Sequence, residues 1–505
     1  MYKFTKSSFV TALADCPRIV WLLEHTDVLI DDSKTYDMVM KKGKEAGQVA
    51  RSIFGEYVLV DFDNNEQMSE FTKDYINSGE PVICEASFDT SDMFCSVDIL
   101  KNLGDNHVEI YEVKSSSDTG KIQSRYLMDI AFQVYTVSAA GYTIDSANLI
   151  EINPEYVRHG ELEIDKLFNI IDVTKMIQPY LDNMYDTLMS LSFMLESDTE
   201  PFNNDDLNKL PSSCSNKKCG YWNYCSRDLP KPNVFNLNGW HTKKDIKMEC
   251  YNEGILSYQE LKDSGKLNEE QMVEVDVGLT GEPHIEANKI QEFMQDIYYP
   301  LYFLDFETFQ LSIPPFDDTH PWQQIPFQYS LHYIEWEGGE LKHTEFLGEA
   351  GTDPRRALAE QLCRDIPMDV CTTAYNKRFE CGVIKELADV YPDLAEHLMN
   401  IHDHIVDLMV PFWKLWYYTK EMQNSYSIKF VLPALCPDDP ALDYHNLDQV
   451  HNGSEAMSAF EDMADMPKDE QLRLRENLLK YCGLDTLAMV KVWEKLKQVV
   501  DEKRE

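Results

Sequence analysis

The sequence predicts an α/β protein with more than one domain. Its 505 residues exceed what one hydrophobic core usually organises, so two or three domains are expected. Two segments have strand patterns: "MFCSVDILKNLGDNHVEIYEVKSSS" gives two strands joined by a turn, and "YYPLYFLDFET" is apolar on both alternating faces, as in a central strand. The segments "YLMDIAFQVYTVSAAG" and "NEGILSYQELKDSGKLNEEQM" have the apolar spacing of helices.

Three parts are predicted along the chain. A first domain, 1–228, ends in the proline-containing stretch "RDLPKPNVF", which has the composition of a linker. A helical connector, 229–296, follows. The second domain, 297–505, opens at about Tyr298 with the buried strand.

Composition restricts the class of protein. The chain has no run of eighteen apolar residues and no basic start followed by an apolar stretch, so a soluble, cytoplasmic protein without membrane contacts is expected. Twelve cysteines without an export signal favour thiols or metal ligands over disulfides. The formal charge of -42 would repel a nucleic acid unless basic contacts are confined to a narrow groove or supplied by a partner. Alternatively, this acidity is only a solvated surface.

The clearest candidate site lies in the predicted hairpin. Opposed residues of an antiparallel hairpin have a constant number sum, so a turn centred on Asp105 places Asp98 opposite Glu112, with Lys114 on the same face. Two opposed carboxylates repel each other unless a cation lies between them, and Mg²⁺ or Mn²⁺ prefers oxygen ligands. A metal there would activate water while Lys114 balances charge. The alternative is an exposed face with an ordinary Glu–Lys pair.

This hairpin and the helix after it resemble the PD-(D/E)XK nucleases of the RecB type. The resemblance implies a restriction-endonuclease-like mixed sheet with flanking helices in 1–228, and it assigns catalytic roles to Asp98, Glu112, Lys114 and Gln133, the first two as metal ligands. The spacing from Gln133 to Tyr135 is shorter than in that family, and the family's early metal-binding histidine is absent. Glu85 and Glu45 are the substitute candidates for a further ligand.

A cysteine cluster flanks this region. Cys214, Cys219 and Cys225 lie in "CSNKKCGYWNYC", and Cys16 precedes the hairpin. One cysteine before the core and three after it resemble the iron–sulfur subgroup of these nucleases, which includes the CRISPR-associated exonucleases and AddB. The resemblance implies a structural 4Fe-4S cluster on these four residues. A Cys₄ zinc site has the same ligand count and remains the alternative.

A second acidic constellation opens the second domain. Asp305 and Glu307 are two apart on the predicted buried strand and therefore share a face, where unpaired carboxylates would be costly without a metal. Downstream, Tyr481 and Asp485 are four apart on a predicted helix, and Glu380 follows Asn376 at the same spacing; each pair shares one helix face.

In this order the three pieces resemble the DEDD exonucleases of the RNase H-like fold, in the subtype with Tyr-x-x-x-Asp. The resemblance implies a mixed sheet with helices in 297–505, in which Asp305, Glu307, Glu380 and Asp485 bind two metal ions and Tyr481 orients water. Glu380 stands where that family has aspartate, and Asp407 is a possible substitute. The wider stretch also resembles an uncharacterised bacterial domain family joined to RecB-like nucleases.

These patterns predict a metal-dependent DNA exonuclease that acts on single-stranded DNA or DNA ends. The resemblances place such a protein in phage defence, CRISPR adaptation or DNA repair, with a possible partner protein of such a system. The chain has no P-loop, so no ATP hydrolysis is expected. The alternative is an acidic DNA mimic or a scaffold that inhibits another nuclease, with one or both centres inactive.

Overall fold

The computed structural model describes residues 2–28, 43–201, 210, 214, 219–238, 244–437, 450 and 452–504. Contacts within the chain divide it into two compact units. The first comprises Met1–Arg227 together with Leu311–Gln323, and the second comprises Asp228–Gln310 and Gln324–Glu505. The predicted connector, 229–296, therefore lies within the second unit, and a short segment from beyond the connector belongs to the first.

The described part of the first unit is built on a mixed sheet. Its strands are β1 (Phe4–Thr5), β2 (Val58–Leu59), β3 (Val82–Asp89), β4 (Met93–Gly104), β5 (His107–Ser117), β6 (Thr143–Ile152) and β7 (Phe168–Asp172). The order is β2-β3-β4-β5-β6-β7, with β1 parallel to β4. β2 pairs with β3 and β5 pairs with β6 in parallel, whereas β3–β4, β4–β5 and β6–β7 are antiparallel pairs.

Helices cover both faces of this sheet. They are α1 (Lys6–Val10), α2 (Pro17–His25), α3 (43–51), α4 (Asn65–Ser78), α5 (Ser124–Ala139), α6 (Ile164–Leu167), α7 (Gln178–Leu181), α8 (Met184–Leu195) and α9 (Trp222–Cys225). One apolar cluster packs α1, α2, α5 and α8 against the sheet. A second cluster joins α3 to β3, β5 and β6.

The β4–β5 hairpin follows from its turn residues. Asp105 and Asn106 have φ of 51° and 60°, the left-handed conformation that a two-residue hairpin loop requires and that Asp and Asn tolerate. The predicted register is confirmed as far as the last ladder pair, Ile99 with Tyr111. The next position in that register holds Asp98 and Glu112.

The segment Leu311–Gln323 is anchored within the first unit by hydrogen bonds. The Trp322 indole donates to the Ser115 carbonyl at 2.9 Å, immediately after Lys114 on β5. Main-chain bonds join Arg158 to Asp318 and Thr319, at 2.8 and 3.0 Å. These bonds fix the segment beside the end of the strand that carries the first candidate site.

The second unit contains another mixed sheet. Its strands are β8 (His284–Ile285), β9 (Leu301–Phe309), β10 (Ile325–Ile334), β11 (Lys342–Leu347), β12 (Cys371–Ala374), β13 (Ile405–Asp407) and β14 (Tyr417–Tyr418). Five of them form the order β11-β10-β9-β12-β13, and β14 pairs only with β8 among the described residues. β9, β10 and β11 are antiparallel, whereas β12 and β13 run parallel to β9.

The first helices of the second unit lie in the predicted connector, 229–296. They are α10 (Lys244–Asn252), α11 (Tyr258–Ser264), α12 (Glu269–Thr280), α13 (Ala287–Phe293), α14 (Arg355–Asp365), α15 (Arg378–Val390), α16 (Ala395–Asp403), α17 (Val410–Trp413), α18 (Ile428–Leu435), α19 (Gly453–Met463) and α20 (Lys468–Arg504). The central strand β9 is buried on both faces, as its sequence predicts. Its even-numbered residues pack with α14, α15 and α16, while Leu301 and Phe303 pack with α20.

The coarse prediction of an α/β protein with mixed sheets and flanking helices is confirmed. Within the described ranges, no helix combines the length and the apolar character needed to cross a bilayer.

Candidate functional site

The first cluster centres on Glu112 of β5, whose carboxylate is buried. Lys114 donates to its Oε1 at 2.6 Å and Gln133 donates to its Oε2 at 2.8 Å. Asp98 of β4 accepts the Val113 backbone N–H at 2.7 Å, which holds it at the same end of the hairpin. The structure therefore brings the four sequence-predicted residues of this site together.

Two residues that the sequence analysis did not select complete this cluster. Lys6, the first residue of α1, donates to both oxygens of Glu112 at 3.1 and 3.2 Å. Asp129 of α5 accepts from Lys114 at 2.6 Å and from Gln133 at 2.9 Å. Asp129 precedes Gln133 by four residues on one helix, a spacing that could have identified it. Lys6 lies in a separate element, and no local sequence signal points to it.

Charge in the first cluster is unevenly distributed. Burial opposes ionisation of Glu112, but the Lys114 and Lys6 ammonium groups outweigh it and hold the pKa of Glu112 well below its usual range. Burial and then the Glu112 charge raise the pKa of Asp98 to about 7. The same two causes raise the pKa of Asp129. Glu112 is thus the most persistent negative charge, and two lysines neutralise it.

The side chains of the first cluster suit a hard divalent cation only in part. Three carboxylates supply the oxygen ligands that Mg²⁺ or Mn²⁺ prefers. However, Lys6, Lys114 and Gln133 already use the oxygens of Glu112. A cation bound by Asp98 and Glu112 would need at least one ammonium group to move.

The substitute ligand candidates lie at different depths of this region. In the register of the neighbouring β3–β4 pairs, Glu85 is opposite Asp98, but its φ of 57° interrupts the ladder and Arg51 binds its carboxylate at 2.5 Å. Glu45 is half-buried on α3. Tyr135 packs against the apolar core two residues beyond Gln133, a spacing that turns it to another face of α5.

The second cluster brings Asp305, Glu307 and Asp485 together. One ligand atom from each lies within 4.8 Å of the others, and no other described group of three potential ligands does so. Asp305 and Glu307 share the face of β9 that α20 covers, and Asp485 projects from α20. The predicted convergence of these three carboxylates is therefore present.

Electrostatics in the second cluster are unfavourable without a cation. Burial and then the Asp485 charge raise the pKa of Asp305 well above its usual range. Burial and then Asp305 do the same for Glu307, against a smaller opposing effect of Lys429. Three crowded carboxylates, two of which have raised pKa values, fit a hard divalent cation, which would compensate their mutual repulsion.

Glu380 is buried on α15, and its Oε2 has no hydrogen-bond partner among the described residues. Burial and then the charge of Asp305 raise its pKa well above the usual range. It therefore lies near Asp305 but outside the group of three. Asp407, the possible substitute for Glu380, accepts the backbone N–H groups of Asn376 and Met409, both at 2.9 Å.

Other side chains surround the three carboxylates. Tyr481 is buried on α20, and the Lys429 ammonium lies 6.0 Å from the centre of its ring. The buried Cys482 thiol contacts Asp305 Oδ2 at 3.7 Å, so this cysteine borders the acidic site. A Cβ at Gly453, where α19 begins, would lie 3.6 Å from Glu307 Oε2.

The four predicted cluster cysteines lie near one another in the first unit. Cys16 caps the N-terminus of α2, and Cys225 ends α9. Burial and then the neighbouring Cys16, Cys225 and Cys219 thiolates raise the pKa of Cys214 to about 12. Burial is also the main cause of the raised pKa values of Cys16 and Cys219, with Cys225 adding to both.

The spacing of these sulfurs bears on what they could hold. No three of these four sulfurs lie within 4.8 Å of one another. Around one tetrahedral zinc ion, bonds of about 2.3 Å imply sulfur separations of about 3.8 Å. An iron–sulfur cluster attaches each thiolate to a different iron atom and so separates the sulfurs farther.

Comparison with known families gives one match. Residues 302–427 match the family described as a domain of unknown function (DUF2779). The matched stretch includes Asp305, Glu307 and Glu380 but ends before Tyr481 and Asp485. No curated protein matches the chain.

Proposed function

We propose that this chain is a metal-dependent DNA exonuclease with two nuclease centres that act on single-stranded DNA or DNA ends. The observation that carries the proposal is the convergence of Asp305, Glu307 and Asp485 on one face of β9, where burial and mutual repulsion raise the pKa values of Asp305 and Glu307. Such an arrangement is costly unless it binds divalent cations, and divalent cations at carboxylates are the common device for phosphodiester hydrolysis.

In the second centre, Asp305, Glu307 and Asp485 would hold Mg²⁺ or Mn²⁺, which supplies Lewis-acid activation of water and phosphate. Tyr481 and Lys429 flank this group, and their hydroxyl and ammonium are suited to orient water and a phosphate. The partnerless Glu380 Oε2 offers one more oxygen close to Asp305. We propose that Glu380 helps to bind a second ion.

The strand arrangements support the two finer fold assignments that we propose. In the second unit, an antiparallel β9-β10-β11 meander is followed by β12 and β13 parallel to β9, and helices flank the sheet; the RNase H-like resemblance implies such a mixed sheet with helices. In the first unit, a β4–β5 hairpin carries the acidic residues and α5 packs behind them, as the PD-(D/E)XK resemblance implies. In that centre, Glu112 and Asp98 would bind the cation and Lys114 would balance charge on the phosphate.

We further propose that Cys16, Cys214, Cys219 and Cys225 hold a 4Fe-4S cluster that joins α2 to the end of the first unit. The resemblance to the iron–sulfur subgroup and the electrostatic interactions among these four thiols support this assignment. The Cys219→Ser variant should lose most of the visible absorbance of the purified protein, whereas Cys363→Ser, a half-buried thiol of the second unit, should keep it. Stoichiometric zinc in a colourless native protein would contradict the cluster assignment.

One observation favours a second candidate function. The formal charge of -42 suits an acidic DNA mimic or a scaffold that binds another nuclease better than it suits a DNA-binding enzyme. In that case one or both centres would be inactive. A protein that binds a nuclease but never cleaves DNA in Mg²⁺ or Mn²⁺ would support this alternative.

The two-centre proposal is tested with single-stranded DNA labelled at either end. Asp98→Asn and Asp305→Asn should each remove one pattern of cleavage products and leave the other, because each variant alters one centre. The double variant should be inactive. If either single variant abolished all cleavage while remaining folded, the two-centre proposal would be wrong. We also propose that the protein acts in phage defence, CRISPR adaptation or DNA repair, which is a separate question from the number of nuclease centres.

A further inference from the structure

Lys6 has a position that the pairing of Glu112 does not require. Lys114 already satisfies Glu112 Oε1 and Gln133 already satisfies Oε2. Lys6 adds a second ammonium group to Oε1 at 3.1 Å and a further contact to Oε2 at 3.2 Å. Two ammonium groups that share one oxygen repel each other. The hydrogen bonding of Glu112 alone therefore does not explain the position of Lys6.

Lys6 also lies at the accessible edge of the cluster. About a quarter of its side chain is exposed (25%), compared with 3% for Glu112 and 9% for Asp129. Its ammonium also lies 4.0 Å from Asp129 Oδ1. Lys6 thus contacts Glu112 and lies near Asp129 on the partly exposed side of the cluster, which it shares with Lys114 (21% exposed) and from which a cation or a substrate phosphate could approach.

We propose that Lys6 is a substrate-binding residue of the first centre, whose ammonium group occupies the place of a divalent cation at Glu112 until one binds, and then contacts a backbone phosphate of DNA. This inference rests on the proposed nuclease function. It also identifies a place where this very acidic chain could offer positive charge to a polyanion, because the Lys6 and Lys114 ammonium groups both bind the Glu112 carboxylate.

The first test uses the native chain and requires no cleavage. Acetic anhydride labels exposed lysine amines, and peptide mass spectrometry reads the modification at each position. Saturating Mn²⁺ should raise the labelling of Lys6, and a short single-stranded deoxyoligonucleotide added with Ca²⁺ should suppress it. Lys3 is the internal control, because it pairs with Asp89 at 2.6 Å outside the cluster. Unchanged Lys6 labelling on addition of Mn²⁺ would overturn the proposal.

The second test compares Lys6→Met with Lys3→Met by calorimetric titration of the metal-free proteins. Both variants are prepared in a chain that also carries Asp305→Asn and Asp485→Asn, so that the first centre accounts for most of the Mn²⁺ binding. Both are also prepared in the otherwise native chain, in case the chain with these two further substitutions does not fold. Lys6→Met should bind Mn²⁺ about tenfold more tightly, the weight of one hydrogen bond to a charged group. It should bind the oligonucleotide in Ca²⁺ about tenfold more weakly.

The outcomes separate this inference from the proposed function. Equal Mn²⁺ affinities for Lys6→Met and Lys3→Met, or equal affinities for the oligonucleotide, would make Lys6 a structural ion-pair residue and overturn the inference. Failure of the proposed function would appear differently, as an absence of cleavage by the native protein. The binding and labelling results do not depend on cleavage.

Discussion

Replacing Asp305 with asparagine should stabilise the metal-free protein at pH 8 by about 1–3 kcal/mol and remove the stabilisation by Mn²⁺ that the second centre supplies. Burial and Asp485 raise the pKa of Asp305 in the folded chain. When the pKa of a carboxyl group is higher in the folded than in the unfolded chain, the folded protein becomes less stable as the pH rises above the unfolded pKa of about 4. The benefit of asparagine should therefore be small near pH 4 and grow toward pH 8.

Thermal unfolding at both pH values, with and without Mn²⁺, measures this effect. The matched control is Asp393→Asn, because that exposed carboxylate pairs with Arg356 at 2.7 Å and lies outside the site. It should leave the Mn²⁺ effect unchanged. A stabilisation of Asp305→Asn that fell with rising pH, or an undiminished response to Mn²⁺, would contradict the assignment of a metal centre.

Glu112→Gln should destabilise the first unit by about 3–5 kcal/mol, because it leaves two partly buried ammonium groups without their main counter-charge. Lys6 and Lys114 both donate to this carboxylate, and the low pKa of Glu112 shows how strongly they favour its charged form. The same variant should remove cleavage by the first centre, since it removes the carboxylate proposed to bind the cation.

The control for that variant is Glu109→Gln on the same strand. Glu109 pairs with Lys101 at 3.0 Å and is about a quarter exposed, so its loss should cost at most about 1 kcal/mol. Urea denaturation of both variants gives the comparison. If Glu112→Gln were as stable as Glu109→Gln, the lysines would not depend on Glu112, and the electrostatic description of the first centre would be wrong.

Local sequence signals were sufficient where one hairpin, one strand or one helix places the side chains. The loop at Asp105 and Asn106, together with a bulge between Asn102 and Gly104, sets the hairpin register. Alternation on β9 placed Asp305 beside Glu307. Gln133 came from a resemblance, but its helix spacing also indicates Asp129. In these cases the relevant distances are set within one element or across one short turn.

The remaining features depend on packing between distant parts of the chain. Lys6 reaches Glu112 only because α1 packs against α5 and the sheet. Cys482 has an apolar sequence context, yet α20 carries its thiol to Asp305. The segment Leu311–Gln323 follows β9 directly, and nothing in its residues indicates that it belongs to the first unit. Tertiary contacts, and not local patterns, decide these three placements.

The strong negative charge of the chain is compatible with a nuclease if binding is local. Positive groups are placed at the carboxylates, with Lys6 and Lys114 in the first centre and Lys429 in the second. Contacts to a few phosphates at each centre would then oppose a general repulsion. Such a protein should bind DNA weakly, with an affinity that depends on divalent cations.

We propose that this chain hydrolyses DNA with divalent cations held by its carboxylates. The most direct measurement is digestion of end-labelled single-stranded DNA by the purified protein in Mg²⁺, in Mn²⁺ and in EDTA, alongside the Asp98→Asn, Asp305→Asn double variant. We predict cleavage by the native protein in either metal, none in EDTA, and none by the folded double variant. An inactive native protein that binds Mn²⁺, or equal cleavage by the double variant, would contradict the claim.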